Sequence, residues 1–426
     1  HWQYANDWRV SFPAFYQMQG PLRKLGRNDE ADNCLEKALQ IGLKKMEATP
    51  KLIAEEEWKV LGNTLFELGR MEDFWRIGQA YIAVDSTSVR RWENYAIFLK
   101  DHGFHSEAEP AYRKMIMLDS SDNRGWYGLG WMYNRQLRYS DMEMMFRKCV
   151  VIAPKDYKGW NGLGWAFYYQ KKYDDAEGAF LTCLAGANRL GAAWNGLGLT
   201  YLSLKRYAEA EQAFRRFIEL QPNNHTAWFG LSRALSDSDR YTEAIPVYRT
   251  LIDLAPANIG YRNYLSLALI RTYKFEEAIV VCRQAISIDS TNSSAWSNLG
   301  YALLQTNRYT EAELALQRAI SLNPKSANAL KHLAALHFRT GKREEARAGF
   351  EKAIELNPNY FGGYLGRAYL LAAENKPAEA FVQVELAIQK NATYEQLESD
   401  PDLAPLRALP EWRLLMKKHF PDKVKD

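Results

Sequence analysis

Aromatic and basic side chains recur through the middle of the chain in combinations suited to binding. Trp131 and Trp165 are 34 residues apart, and each has tyrosines and basic residues near it in the sequence. Tryptophan, tyrosine and arginine dominate the energetics of protein interfaces because they bury a large area and still offer a polar tip or fork. The sequence therefore predicts a surface that recognises a partner.

Sequence signatures of catalysis do not occur in the chain. There is no phosphate-binding glycine loop, no HExxH pair and no strand-turn-helix nucleophile elbow. His102 and His105 flank one turn, a place where surface histidines are far commoner than metal ligands, and the four cysteines lack zinc-like spacing. We therefore expect no enzyme activity, no cofactor and no bound metal.

A tryptophan recurs with a fixed period of 34 residues, which indicates stacked supersecondary units. The series is Trp58, Trp92, Trp126, Trp160, Trp194, Trp228 and, after a lapse at Arg262, Trp296. In one unit Trp160, Leu163, Gly164 and Phe167 fall at helical spacing, and a second helical stripe follows with Ala176, Phe180 and Cys183. Each unit is thus predicted to be a helical hairpin.

This pattern resembles the tetratricopeptide repeat, which has Trp, Leu-Gly, Tyr, Ala, Phe, Ala and Pro in this order and spacing. Pro154, Pro222, Pro256, Pro324 and Pro358 share the register that ends the second helix. The resemblance implies an all-α, right-handed superhelical solenoid of about eleven hairpins. We predict a divergent hairpin with an insertion in residues 1–54, ten contiguous units in 55–394, and a capping segment in 395–426, with partner docking as the alternative role of that segment.

The resemblance also implies a concave inner surface, lined by positions 2, 5, 6, 9, 12 and 13 of each unit when the tryptophan is position 4. In the central units these positions hold the predicted groove residues: Arg124, Tyr127, Gly128, Trp131, Arg135, Lys158, Asn161, Gly162, Trp165, Tyr168, Tyr169, Asn195, Gly196, Phe229, Gly230 and Arg233. Rings and asparagine amides there suit an extended peptide, or a sugar chain stacking on the rings. The alternative for the rings is additional packing between helices.

Glycine occupies position 6 in four consecutive units, at Gly128, Gly162, Gly196 and Gly230. A glycine inside a helix costs about 0.5–1 kcal/mol relative to alanine, so the recurrence needs a reason. One interpretation is a smooth floor that lets a ligand approach the backbone. The other is that glycine relieves crowding against neighbouring side chains.

A second pattern resembles the dicarboxylate clamp of tetratricopeptide co-chaperones, which grip the carboxylates at the C-terminus of heat-shock chaperones. The matching residues are Lys59, Asn63, Asn94 and Arg124, and charge-assisted hydrogen bonds would hold the carboxylates. Arg124 replaces the usual lysine, and Gly128 stands where the fifth, basic residue belongs. Ordinary solvated helix residues are the alternative interpretation.

Composition excludes some other classes of function. The formal charge is +4 in 49.1 kDa, without the basic runs of a nucleic-acid module, so we expect no nucleic-acid partner. No stretch reaches the roughly 20 apolar residues of a membrane span. Cysteines without a disulfide pattern weakly favour the cytoplasm, and the periplasm is the alternative.

The leading hypothesis is a non-catalytic scaffold that binds an extended peptide or partner segment, with no prediction of oligomeric state. A carbohydrate-associated scaffold, for example in polysaccharide export, is the second hypothesis. The third is the substrate-selecting repeat region of a larger enzyme, as in the O-GlcNAc transferases. A co-chaperone that binds a chaperone tail is a minor alternative.

Overall fold

The computed structural model describes residues 20–48 and 55–424. These residues form helices and turns and no strand, so the prediction of an all-α chain of tandem hairpins is confirmed. The helices are α1 (Asn28–Ala48), α2 (Glu55–Glu67), α3 (Met71–Ala83), α4 (Val89–Asp101), α5 (His105–Leu118), α6 (Asn123–Arg135), α7 (Tyr139–Ile152), α8 (Tyr157–Tyr169), α9 (Tyr173–Gly186), α10 (Gly191–Ser203), α11 (Tyr207–Leu220), α12 (His225–Asp237), α13 (Tyr241–Leu254), α14 (Ile259–Arg271), α15 (Phe275–Ile288), α16 (Ser293–Gln305), α17 (Tyr309–Leu322), α18 (Ala327–Arg339), α19 (Arg343–Leu356), α20 (Phe361–Ala373), α21 (Pro377–Gln389), α22 (Tyr394–Ser399), α23 (Ala404–Arg407) and α24 (Pro410–His419).

The chain forms two compact units, His1–Lys205 and Arg206–Asp426. Within each unit a helix packs against its neighbours in sequence, and the first helices of consecutive hairpins also contact one another. In the first unit these first helices include α4, α6, α8 and α10, and in the second unit α14, α16, α18 and α20. The side chains of consecutive first helices therefore share one surface within a unit.

The turn between the two helices of a hairpin contains a residue in the left-handed region. Gly69, Gly103 and Gly341 occupy this position with φ between 69° and 85°. At the equivalent position other hairpins have Leu137, Lys171, Lys205, Asp239, Tyr273, Asn307 and Asn375, with φ of 58–62°. Side chains with a Cβ disfavour this region by about 1–2 kcal/mol, so the packing of the two helices fixes the turn.

The first helices of the hairpins begin at short polar side chains that cap them. Asp122 and Asp156 each accept a hydrogen bond from the backbone N–H two residues later, and Asn224 and Asn258 do the same. The predicted prolines lie two residues beyond the second helices, as Pro222 lies beyond Leu220. Each hairpin thus begins and ends at signals that recur with the period of the sequence.

The tryptophans of the repeat are half-buried, apart from Trp58, which is buried. The indole Nε1–H of each of them from Trp92 onward donates to the backbone carbonyl six residues earlier, as Trp160 does to Pro154 at 2.9 Å. Arg262 makes the same bond to Pro256 at 2.5 Å, and Tyr364 to Pro358 at 3.0 Å. The position therefore requires a hydrogen-bond donor that covers the preceding loop.

The two ends of the chain differ from the repeats. Helix α1 spans 21 residues and contacts α2, whereas residues 1–19 and 49–54 of the predicted N-terminal hairpin lie outside the described residues. At the other end α24 packs on α21, with Trp412 and Met416 buried and Lys418 paired with Glu385 at 2.6 Å. Among the described helices, none is both long and apolar enough to cross a membrane.

Candidate functional site

The structure gathers the aromatic part of the predicted groove in the first unit. Trp165 contacts Tyr168 and Tyr169, with ring centroids 5.7 Å away in each case. Tyr169 is 37% exposed, and its ring stacks on that of Tyr139 with the centroids 4.9 Å apart. The cluster therefore joins the start of α7 to the end of α8. We call the surface formed by Trp165, Tyr168, Tyr169 and Tyr139 the aromatic surface; Tyr139 was not among the predicted groove residues, and Tyr169 is the exposed member of the four.

The two tryptophans singled out in the sequence are only partly available. Trp131 lies edge-on to the buried Phe146 at 5.4 Å, and Trp165 lies edge-on to the buried Phe180 at 5.5 Å. Tyr127 also contacts Phe146, at 5.8 Å. The alternative interpretation, packing between helices, therefore accounts for one side of each ring.

The four glycines at position 6 do not form a ligand floor, and that interpretation is corrected. Gly162, Gly196 and Gly230 are buried and Gly128 is half-buried. A Cβ at Gly196 would lie 2.3 Å from the ring of Phe180, which belongs to the second helix of the preceding hairpin. Equivalent rings lie 2.1–2.2 Å from a Cβ at the other three glycines. Glycine is needed there because a large side chain of the core occupies the space.

The remaining predicted groove residues are dispersed. Arg135 and Lys158 are exposed in the first unit, whereas Phe229 and Arg233 belong to the second. Phe229 contacts Tyr261 and Tyr264, and Arg233 is 3.9 Å from Asp237. Phe229 therefore contacts the first helix of the next hairpin, whereas Arg233 lies near a residue of its own helix.

The asparagines at position 5 also differ from the prediction. Asn161 is buried and Asn195 is half-buried, and the Oδ1 of each is shielded from solvent without a hydrogen-bond partner in the described structure. An atom that solvent does not reach cannot accept a hydrogen bond from a peptide on the surface. These amide oxygens are therefore removed from the predicted binding set.

The carboxylate clamp is not assembled. Asn94 is buried, and its Nδ2 donates to the hydroxyl of Tyr81 at 3.2 Å. Arg124 is paired with both Glu93 and Asp122, which raise its pKa through hydrogen bonds and charge. A ligand carboxylate at Arg124 would meet two carboxylates already bound there. Lys59 and Asn63 are half-buried on α2.

The second unit contains a cleft of about 690 Å³ between four first helices and the segment that follows α21. Its walls come from Leu267, Ile270 and Arg271 on α14, Asn298, Tyr301 and Gln305 on α16, Asn328, Lys331 and His332 on α18, Gly362 and Leu365 on α20, and residues 393–401, with Asp239, Tyr241, Tyr273, Phe275, Tyr360 and Phe361 at its edges. A cleft of this size with a few convergent polar groups has the dimensions of a ligand site.

Two cations line the cleft beside aromatic rings. The Arg271 guanidinium lies 5.9 Å from the ring centre of Tyr241, and the Lys331 Nζ lies 5.6 Å from that of Tyr301. Removal from water lowers the pKa of Lys331, the charges of Asp400 and Asp402 oppose this, and the charges of Arg339 and Arg271 lower the pKa further. Neither cation forms an ion pair within the described part of the chain.

The deep side of the cleft is neutral and hydrogen-bonded. His332 stacks on Tyr301 at 4.4 Å, and burial holds its pKa well below its ordinary value, so the imidazole is uncharged at neutral pH. Burial raises the pKa of Tyr301 to about 12, which keeps its hydroxyl a hydrogen-bond donor. At the edge of the cleft, in an exposed position, the Tyr360 hydroxyl donates to Asn328 Oδ1 at 2.6 Å.

The segment after α21 closes one side of the cleft through two acidic residues. Asp402 accepts hydrogen bonds from Arg339 at 3.0–3.2 Å, and both side chains are only 15% exposed. The Tyr369 hydroxyl donates to Asp400 Oδ2 at 2.5 Å. These contacts fix the segment against α18 and α20.

Sequence reasoning did not select the cleft, although the signal was present. Eleven of its lining residues, from Leu267 to Leu365, occupy positions 2, 5, 6, 9, 12 and 13 of their units, the register that the repeat resemblance assigned to the inner surface. The predicted groove covers only the central units, where aromatic residues are most frequent at these positions. Within the described residues no group of three or more metal-ligating side chains occurs.

Comparison with solved structures gives several helical-repeat proteins. One is YrrB, described as a TPR protein with an unusual peptide-binding site, with 17% identity, coverage of 43% of this chain and 95% of that one, and a TM-score of 0.35. A second is a tetratricopeptide repeat protein from Parabacteroides merdae, with 16% identity, coverage of 58% and 98%, and a TM-score of 0.42. A third is the Cut9–Hcn1 hetero-tetramer of the APC/C, with 13% identity, coverage of 93% and 76%, and a TM-score of 0.45.

The comparison with curated proteins gives no match. Three family models, each described as a tetratricopeptide repeat, do match the sequence. One matches residues 161–225, 195–259 and 229–293, a second matches 269–336 and 308–360, and a third matches 22–41. The matched residues make up about half of the chain and coincide with the hairpins described above, so the chain belongs to the tetratricopeptide repeat family.

Proposed function

We propose that this protein is an interaction scaffold that binds an extended peptide segment of a partner protein in the cleft of its second unit. The main support for the proposal is that consecutive repeats together form the walls of the cleft. Four consecutive first helices, α14, α16, α18 and α20, each contribute residues from the inner-surface positions of the repeat. A segment lying across them would contact several hairpins at once, on a surface whose side chains are already ordered.

The polar groups of the cleft suit a peptide backbone. Asn298 Nδ2 donates to Ser266 Oγ at 2.9 Å, so the Oδ1 of Asn298 can accept a hydrogen bond from a ligand N–H. Asn328 Oδ1 accepts from Tyr360, which leaves its Nδ2 for other acceptors. An amide acceptor and an amide donor on adjacent helices match the N–H and C=O groups of an extended chain.

The aromatic surface of the first unit is proposed as a second contact region. Tyr169 is its most suitable probe, because Trp131 and Trp165 also pack against core phenylalanines and their replacement would disturb the fold. The exposed ring faces of Tyr139 and Tyr169 would also suit a sugar ring, which is the basis of the carbohydrate alternative.

The test is retention of a random library of 12-residue peptides by the immobilised full chain, followed by affinity measurement on retained peptides. Leu267 lines the cleft and is 39% exposed, whereas Leu314 is 64% exposed on α17, outside it. Leu267→Ser should weaken binding about fivefold or more, as expected for an interface contact, and Leu314→Ser should not.

Failure to retain any peptide would reject the proposal, and retention of oligosaccharides instead would favour the carbohydrate alternative. Binding that resists Leu267→Ser but is lost in Tyr169→Ser would assign the site to the aromatic surface of the first unit. Thermal unfolding of each variant checks that the substitution leaves the hairpins folded.

A further inference from the structure

The second unit already contains one site that binds two carboxylates, and the chain itself occupies it. Arg339 grips both oxygens of Asp402, and Tyr369 donates to Asp400. The two aspartates are separated by one residue, Pro401. An arginine at position 13 of one unit and a tyrosine at position 9 of the next therefore hold an Asp-Xaa-Asp segment.

The same pair of side chains occurs two units earlier. Arg271 is at position 13 of its unit and Tyr301 is at position 9 of the next, the registers of Arg339 and Tyr369. Both line the cleft, and the charge of Arg271 reaches Tyr301 closely enough to oppose the rise in its pKa that burial causes. Because the hairpins repeat the same backbone register, this second pair starts from the same helix positions as Arg339 and Tyr369.

The cleft offers an acidic ligand one cation that has no carboxylate partner among the described residues, Arg271. Its lining carboxylates already have partners: Asp400 is bound by Tyr369, Glu395 by Lys423 at 2.7 Å, and Asp239 hydrogen-bonds Tyr241. Asp400 and Asp402 also act on the charge of Lys331, whereas Arg271 lies over the Tyr241 ring and makes no ion pair or hydrogen bond to another described residue. A guanidinium without a carboxylate partner can bind a ligand carboxylate through charge-assisted hydrogen bonds.

We propose that Arg271 and Tyr301, with Lys331 beside them, bind the two carboxylates of an Asp-Xaa-Asp segment in a partner protein, as Arg339 and Tyr369 bind Asp402 and Asp400 of this chain. The inference rests on the proposed function and specifies its ligand as acidic. Arginine provides a fork that fits a carboxylate, and a charge-assisted bond is about twice as strong as a neutral one.

The experiment uses the full chain and two libraries of 12-residue peptides with random flanks. One has Asp-Xaa-Asp at its centre and the other has Asn-Xaa-Asn. The Asp library should be retained preferentially, and Arg271→Gln should weaken binding of its members about tenfold or more, because hydrogen bonds to charged groups are lost. Tyr301→Phe should weaken binding less, because the ring remains.

The matched control is Arg318→Gln, since Arg318 is an exposed arginine on α17 that is not part of the cleft. It should bind the Asp library like the wild type, and thermal unfolding should show all three variants folded. Equal retention of the Asp and Asn libraries, or unchanged binding after Arg271→Gln, would overturn the inference. The proposed function survives that result if the random library is still retained, and it falls only if no library is retained.

Discussion

At the scale of single residues, the position-6 glycines show how a binding motif and a packing constraint look alike in a sequence. Gly196 and its equivalents mark places where a core ring from the preceding hairpin presses on the first helix. The ring lies 16 residues before the glycine, in the preceding unit, so the register of one unit alone does not reveal the contact.

Gly196→Ala is therefore expected to destabilise the protein by about 2 kcal/mol, because the added methyl group overpacks the site against Phe180. Gly178 is the matched control, since it is an exposed helical glycine with nothing within 4 Å of an added Cβ. Gly178→Ala should stabilise by about 0.5–1 kcal/mol, as alanine does in helices. Urea unfolding measures both, and equal effects of the two substitutions would contradict the packing explanation.

His332 predicts a pH dependence of stability. Its folded-state pKa is well below 6.5, so above that pH it is neutral in both the folded and unfolded states and contributes no slope. As the pH falls below about 6.5, the unfolded state binds the proton first, and stability should fall by up to about 1.4 kcal/mol per pH unit. The titratable neighbours of His332 are Lys331 and Tyr301. In the unfolded chain, Lys331 loses its proton only at a pH well above this window.

Unfolding free energies between pH 7.5 and 5 test this prediction. The wild type should lose stability through the window, and His332→Gln should show a shallower slope. Identical slopes for the two proteins would mean that the imidazole is protonated without cost in the folded state.

At the scale of elements, the segment after α21 has a role that its sequence alone did not specify. The sequence indicated that 395–426 caps the last hairpin or docks a partner. In the structure α24 packs on α21, while α22 and the residues up to Asp402 turn back to α18 and α20. One segment thus contacts the end of the array and also forms a wall of the cleft.

Asp402→Asn should loosen this segment, because it removes the charge that Arg339 binds in a place only 15% exposed. We expect the opening free energy of residues 394–407 to fall by about 2 kcal/mol, the value of hydrogen bonds to charged groups. Hydrogen exchange of these amides provides the measurement. Glu355→Gln is the control, since its ion pair with Lys352 is largely exposed and contributes little. Unchanged protection in Asp402→Asn would show that packing of α24 alone holds the segment.

The hairpin turns are a second feature that only the structure established. Gly69 and Gly103 are visible signals for a left-handed residue, but Leu137 and Lys171 adopt the same conformation without being glycine. At Arg262, in contrast, the residue type departs from the repeat pattern while the local structure follows it. The tryptophan pattern is interrupted there, although the hydrogen bond to the preceding loop is kept.

At the scale of the whole molecule, the repeat made the fold accessible from the sequence. Each hairpin buries its apolar face against neighbours in the chain, so a local pattern with one period determines helices, turns and their order. The predicted helical hairpins are confirmed along the repeats, and the family assignment follows from the same pattern. The two compact units have no counterpart in the predicted domain boundaries, because the period continues through residue 205 without a break.

The sequence by itself determined the period, the helical hairpins and the register of the inner positions, since these depend on residues close together in the chain. The tertiary structure decided which inner positions are available. It buried Gly196 under Phe180, paired Arg124 with two carboxylates, and brought Asp400 and Asp402 back to Tyr369 and Arg339. Availability depends on contacts between separate hairpins and on a return of the chain over more than sixty residues, neither of which a repeating local pattern encodes.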